Sequence, residues 1–94
     1  MRKSVNAGKR KVVFEVAAEP GSSVSLAGTF NNWDSASKKL TDKTGKGVFS
    51  TIMFLAPGRY EYKYVINGQW CVDPECPDWS PNNHGSLNSV ITIQ

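Results

Sequence analysis

At 94 residues the chain has room for one domain with a thin core, and it contains no apolar run long enough to cross a membrane as a helix. Its formal net charge of +3 is unevenly spread. Arg2, Lys3, Lys9, Arg10 and Lys11 stand at the front with no acid among them, whereas from Val12 onward six basic side chains face eight acidic ones. A basic front of this kind reads as a solvated tail rather than a nucleic-acid surface, because the basic residues are not interleaved with the tryptophans.

The chain order reads as β throughout. Lys11 to Ala17 is rich in β-branched and aromatic residues and ends near the turn signal Pro20-Gly21. Val24 and Leu26 alternate with serines in a second strand that closes at Gly28. Thr29 to Asp34 breaks the alternation and reads as a loop or corner. Residues 35 to 47 are polar, with Leu40 as their one strong apolar anchor. Val48 to Leu55 predicts a third strand, stopped by Pro57-Gly58, and Arg59 to Ile66 a fourth. Asn67-Gly68 is a strong hairpin signal, since both residues tolerate positive φ, and Gln69 to Val72 returns as a fifth strand. Asp73 to Gly85, with three prolines and two asparagines, is expected to be loop; Ser89 to Ile93 closes the sheet.

Short strands with frequent turns predict an all-β antiparallel sandwich or barrel over residues 11–94, preceded by a flexible basic segment over 1–10. The charged front leads into Asn6-Ala7-Gly8 rather than an apolar signal segment, so the expected setting is cytoplasmic, or a module within a longer protein. Cys71 and Cys76 fit no common zinc pattern, and with no secretion signal they are expected to be reduced thiols.

The fourth strand carries the most information. Alternation puts Tyr60, Tyr62, Tyr64 and Ile66 on one face and Glu61, Lys63 and Val65 on the other. The aromatic face is the core face, which turns Lys63 outward on the sheet that the hairpin continues to Trp70.

Catalysis is not expected. His84 is the one histidine, no serine sits in a Gly-x-Ser-x-Gly elbow, and no phosphate-binding glycine loop is present. Asp34, Asp73, Glu75 and Asp78 all fall in predicted loops of a chain too small to wall off a deep cleft around paired carboxylates. Neither a metal nor a cofactor is implied. Binding by tryptophan remains. A sugar ring has an apolar face of C–H groups that an exposed indole covers while nearby polar groups bond its hydroxyls. Trp33 in a polar loop and Trp70 just after a hairpin tip are poor places to bury an indole. Trp79, in the proline-rich segment, is expected to plug the space beneath its loop.

The blocks Leu26-Ala-Gly-Thr-Phe-Asn-Asn-Trp33, Pro57-Gly-Arg-Tyr-Glu-Tyr-Lys-Tyr-Val-Ile-Asn-Gly-Gln-Trp70, Asp73-Pro74 and Gly85-Ser-Leu-Asn-Ser-Val90 closely resemble carbohydrate-binding module family 48. That family includes the glycogen-binding domain of the AMP-activated protein kinase β subunit and modules preceding the catalytic barrel of isoamylases and branching enzymes. The resemblance implies an immunoglobulin-like sandwich that binds α-1,4-glucans. It assigns stacking to Trp33 and Trp70, hydroxyl binding to Lys63, and loop contacts to Ser86 and Asn88. Ser86 stands where threonine is usual and keeps the hydroxyl; Asn67 stands where aspartate is common. His84 replaces an apolar residue of the kinase-type modules and is expected to contact the glucan. The implied partners are an α-glucan and a catalytic or kinase-like protein, with no nucleic acid and no membrane. The alternative function is a regulatory sandwich that docks such a protein through a weakened sugar site.

Overall fold

The computed structural model describes residues 8–76, 78–83 and 85–94. Seven strands form in chain order: β1 Arg10–Ala17, β2 Val24–Gly28, β3 Val48–Leu55, β4 Gly58–Ile66, β5 Gln69–Cys71, β6 Trp79–Pro81 and β7 Leu87–Ile93. Among the described residues one 3-10 turn, Thr29–Asn31, follows β2. All pairing is antiparallel. One sheet holds β1 and β3; the other runs β2-β4-β7-β6, with β5 also paired to β4. The fold is an all-β antiparallel sandwich, one of the two architectures that the strand pattern predicts and the one that the resemblance implies. No described helix is long and apolar enough to cross a membrane.

The core lies where the inward residues of the two sheets meet. Val12, Phe14, Val16, Phe49 and Leu55 come from one sheet, and Val24, Leu26, Tyr62 and Tyr64 from the other. Phe14 meets Tyr62 edge-on at 5.1 Å between ring centres, and Tyr62 meets Tyr64 likewise at 5.9 Å. Such T-shaped contacts place the positive ring edge on the negative face of the neighbour. Burial drives both phenols well above the usual tyrosine range, so they stay neutral donors. Tyr62 donates to Asp73 Oδ2 at 2.8 Å and Tyr64 to the Glu15 carbonyl at 3.2 Å.

Leu40 is buried in the same core. Its segment ties the sheets together: Lys39 bridges to Ser25 of β2, and Thr41 to Ser50 of β3. Cys71 and Cys76 are both free thiols.

One expected loop is partly strand. Trp79–Pro81 pairs with Leu87 to Ser89 as β6. Prolines hid it, since proline cannot donate to a ladder; but β6 is three residues long and outermost in its sheet, where a missing N–H is tolerated.

The Asn67-Gly68 turn forms with φ of 50° and 85°. Asn67 also reaches across to the start of β2: its Oδ1 accepts from the Ser23 N–H at 2.9 Å, and its Nδ2 donates to Ser22 Oγ at 3.2 Å. Asn67→Ala loses both bonds and puts a residue averse to left-handed backbone at the turn. The expected cost is about 1–2 kcal/mol, read as a lower urea midpoint at unchanged slope.

Candidate functional site

The outward face of the larger sheet carries an open concavity of about 470 Å³, lined by Trp33, Lys63, Trp70, Asn82, Asn83, Ser86 and Asn88. Two loops and three strands meet there, and each side chain arrives for a local reason.

Trp33 arrives by an unusual backbone. Gly28 ends β2 so close to its neighbours that a Cβ would sit 2.6 Å from the Glu61 carbonyl and 2.7 Å from the Phe30 ring. Phe30 packs inward against Phe14 and Tyr60, pinning the 3-10 turn. Asn31 then acts as a hub. Its Oδ1 accepts the Gly28 N–H, while its Nδ2 faces the Leu26 and Asp34 carbonyls and Ser37 Oγ. Next come two left-handed residues, Asn32 at φ 56° and Trp33 at φ 60°. Asparagine tolerates that region; tryptophan adopts it only under constraint, at a cost of about 1–3 kcal/mol. The constraint is visible in the Trp33 N–H, which donates to the Gly28 carbonyl at 2.8 Å.

The opposite side is built by the Asn67-Gly68 hairpin. Trp70 pairs with Val65, two residues beyond Lys63, and stands 47 % exposed on the outer face. The same concavity is lined by a polar chain. Lys63 Nζ donates to Ser86 Oγ at 2.8 Å, and Asn82 Nδ2 reaches both Ser86 Oγ and Asn88 Oδ1 at 3.0 Å. Asn88 Nδ2 donates to Glu61 Oε1 at 2.9 Å, and the other oxygen of Glu61 accepts from Arg59 Nη1 at 2.7 Å. These donors hold Glu61 below the usual carboxylate range: the Asn88 amide most, then the Arg59 guanidinium.

Sequence reasoning named Trp33, Lys63, Trp70, Ser86 and Asn88, and all five line the same concavity. His84 lies outside the described residues. Glu61, Asn82 and Asn83 were missed. Asn82 braces the β6–β7 connection, exchanging backbone and side-chain hydrogen bonds with Ser86. Its signal was the Asn-Asn pair before Gly85, which reads as a hairpin tip only once β6 is recognised.

A family model described as the glycogen recognition site of AMP-activated protein kinase matches residues 11–94. The chain belongs to that family. It is similar to FLOURY ENDOSPERM 6 of Oryza sativa subsp. japonica, 36 % identical over 88 % of this chain and 15 % of the relative. It is 34 % identical to the chloroplastic protein PTST of Arabidopsis thaliana over 98 % of this chain and 33 % of PTST. It is also 34 % identical to the AMP-activated protein kinase subunit beta-1 of Rattus norvegicus, over 79 % of this chain and 26 % of the subunit. The chain thus spans a third or less of each of these three relatives.

Trp79 is not the plug expected of this module. It pairs with Ser89, whose side chain is inward, but it sits on the outermost strand, where the two-stranded sheet gives no full cover, and it is 43 % exposed. It does not line the concavity.

Glu61 offers a test of the polar chain. Its lowered pKa means that its contribution to stability is complete above the ordinary value of 4.5 and fades as pH falls through the lower folded value. Glu61→Gln keeps an acceptor for Asn88 but removes the titration. The melting-temperature gap between parent and variant is therefore expected to be widest near pH 6 and to shrink toward about pH 3.

Proposed function

We propose that the module binds α-1,4-glucan chains without catalysing their cleavage. The apolar C–H faces of glucosyl rings lie on Trp33 and Trp70, and Lys63, Ser86 and Asn88 bond the hydroxyls between them. The observation that carries this reading is one open concavity lined by two indoles and by a hydrogen-bonded chain of polar side chains. An ammonium has three N–H donors. Ser86 engages one on Lys63 among the described residues, so hydroxyls can meet the others without losing the wall. Two tryptophans in one hollow, Trp33 from a loop and Trp70 from β5, suit a curved chain better than a flat one. His84 keeps its assignment as a contact on sequence alone.

The basic front stays outside the proposed site, because the indoles share a concavity with Lys63 and not with Lys9 to Lys11. A protein partner is a second element of the function. Similarity to a protein named as a kinase subunit supports a catalytic or kinase-like partner for the chain that carries this module. The plant relatives carry chloroplast names, so they lend no support to the cytoplasmic setting expected from the sequence.

A shallow, open site gives few desolvated contacts, so affinity for a cyclic α-glucan is expected to be about micromolar to millimolar, read by tryptophan fluorescence. Trp33→Ala and Trp70→Ala should each weaken binding by roughly 1–3 kcal/mol, the scale of aromatic stacking on nucleic-acid bases, while the far-ultraviolet spectrum stays unchanged. Trp79→Ala should leave affinity at the parent value. Retention on amylose but not on cellulose is expected; equal retention on both, or on neither, would defeat the glucan reading.

A further inference from the structure

A second hollow, a groove of about 540 Å³, opens between the two layers. β1 forms one wall with Val13 and Glu15, and the connection from β5 to β6 forms another with Asp73, Glu75 and Asp78. Tyr62 and Tyr64 of β4 also line it. It shares no lining residue with the concavity that holds Trp33 and Trp70.

Two properties of its lining narrow what it can hold. The first is charge of one sign. Glu15, Glu75 and Asp78 are exposed, no lysine or arginine lines the groove, and among the described residues none of its four acids forms an ion pair. The second is hydrogen-bond polarity. The Tyr62 hydroxyl donates its one proton to Asp73 Oδ2, and the Tyr64 hydroxyl donates its own to the Glu15 carbonyl. The Cys76 thiol is turned to the carbonyls of Asp78 and Val90. Each of these side chains has its donor engaged and offers the groove lone pairs alone. Asp73 accepts from Tyr62 and from the Glu75 N–H, yet a carboxylate has about four lone-pair sites. Among the described lining side chains only the Thr92 hydroxyl keeps a proton to give.

A groove of acceptors needs a ligand of donors. A guanidinium meets that demand, with five N–H donors in a rigid fork, no acceptor, and a charge that it keeps in proteins. A sugar hydroxyl or a side-chain amide brings an acceptor that would face these lone pairs. The backbone of Glu15 adds one further requirement. Ser50 exchanges its N–H and C=O with Thr41, so its ladder partner Glu15 turns its own N–H away from β3, to the groove side. That N–H suits a carbonyl, which a peptide carries and a free polyamine does not. We propose that this groove docks an arginine-bearing peptide segment of a partner protein. Its guanidinium groups meet the carboxylates of Glu15, Glu75 and Asp78 and the phenol oxygens of Tyr62 and Tyr64. Donors then face acceptors, and cations answer a wall of one sign. The groove stands apart from the glucan face, so one module can hold a polysaccharide and a protein segment together.

The test is fluorescence anisotropy of a labelled penta-arginine peptide titrated with the whole chain from about 1 μM to about 1 mM, the weak range that part-exposed charge pairs support. Saturable binding is expected, and it should weaken as salt screens the pairs. Penta-citrulline exchanges one guanidinium nitrogen for a carbonyl oxygen and loses the charge, so it should not bind. Glu15→Gln combined with Glu75→Gln changes two exposed positions and should leave the fold intact. That pair should weaken penta-arginine binding at least about tenfold, because it removes two charge-assisted partners. Glu19→Gln, at an exposed acid outside the groove, should change it less than about twofold. A saturating cyclic α-glucan should leave the peptide affinity unchanged, which keeps this test separate from that of the glucan reading. No saturation by penta-arginine, equal binding of penta-citrulline, equal losses from the groove pair and from Glu19→Gln, or displacement of the peptide by the glucan would each overturn the proposal. Self-association of the parent that the groove pair abolishes would name the basic front of a second copy as the occupant, and would overturn it too.

Discussion

Strand β4 pairs along one side with β2 and along the other with β7 and then β5, so its register sets three neighbours at once. The period of two then divides its side chains between two faces, with Val65 covered on the outer one. Tyr60, Tyr62, Tyr64 and Ile66 belong to the core, and Glu61 and Lys63 to the binding face. A slip of one residue would send a lysine and a glutamate into the aromatic core and three tyrosines to the site. Core and site are therefore specified together. The edge-on contacts of Phe14, Tyr62 and Tyr64 stabilise the same register that aims Lys63 at Ser86.

Around that strand, the parts of the site that are not on β4 are held by hydrogen bonds local to their loops. Trp33 stands on two left-handed residues that Asn31 and the Gly28 carbonyl over-determine. The β6–β7 connection is braced by Asn82 and reaches the sheet through Asn88 and Glu61. The arrangement lowers the entropy that a weak ligand must remove, which is the physical value of a pre-organised wall. It also makes Glu61 and Asn31 positioning residues, acting on the ligand only through Asn88 and Trp33.

The strands were legible because their alternation is strict and their stops are strong; Asn67-Gly68 and Pro57-Gly58 end β4 and β3 as the sequence predicts. Lys63 was legible for the same reason: the tyrosines fix which face is core. What could not be read were features created by pairing between distant segments. β6 has no pattern of its own and exists because Ser89 and Leu87 offer it an edge. With β6 unseen, Asn82 had no hairpin to brace. Trp79 was expected inward because large indoles in small domains are usually covered. That rule fails where a five-stranded sheet outruns the two-stranded one above it.

The same inequality of the sheets leaves the ligand face on the wider layer, where β4, β5 and β7 each contribute a side chain to one concavity. A glucan repeats its binding unit along its length, and a shallow site holds any one unit weakly. A chain long enough to lie on Trp33 and Trp70 together gains both stacking contacts, whereas a shorter one keeps one and loses the other. The spacing of the two indoles, more than their number, therefore sets the shortest chain that the face can hold.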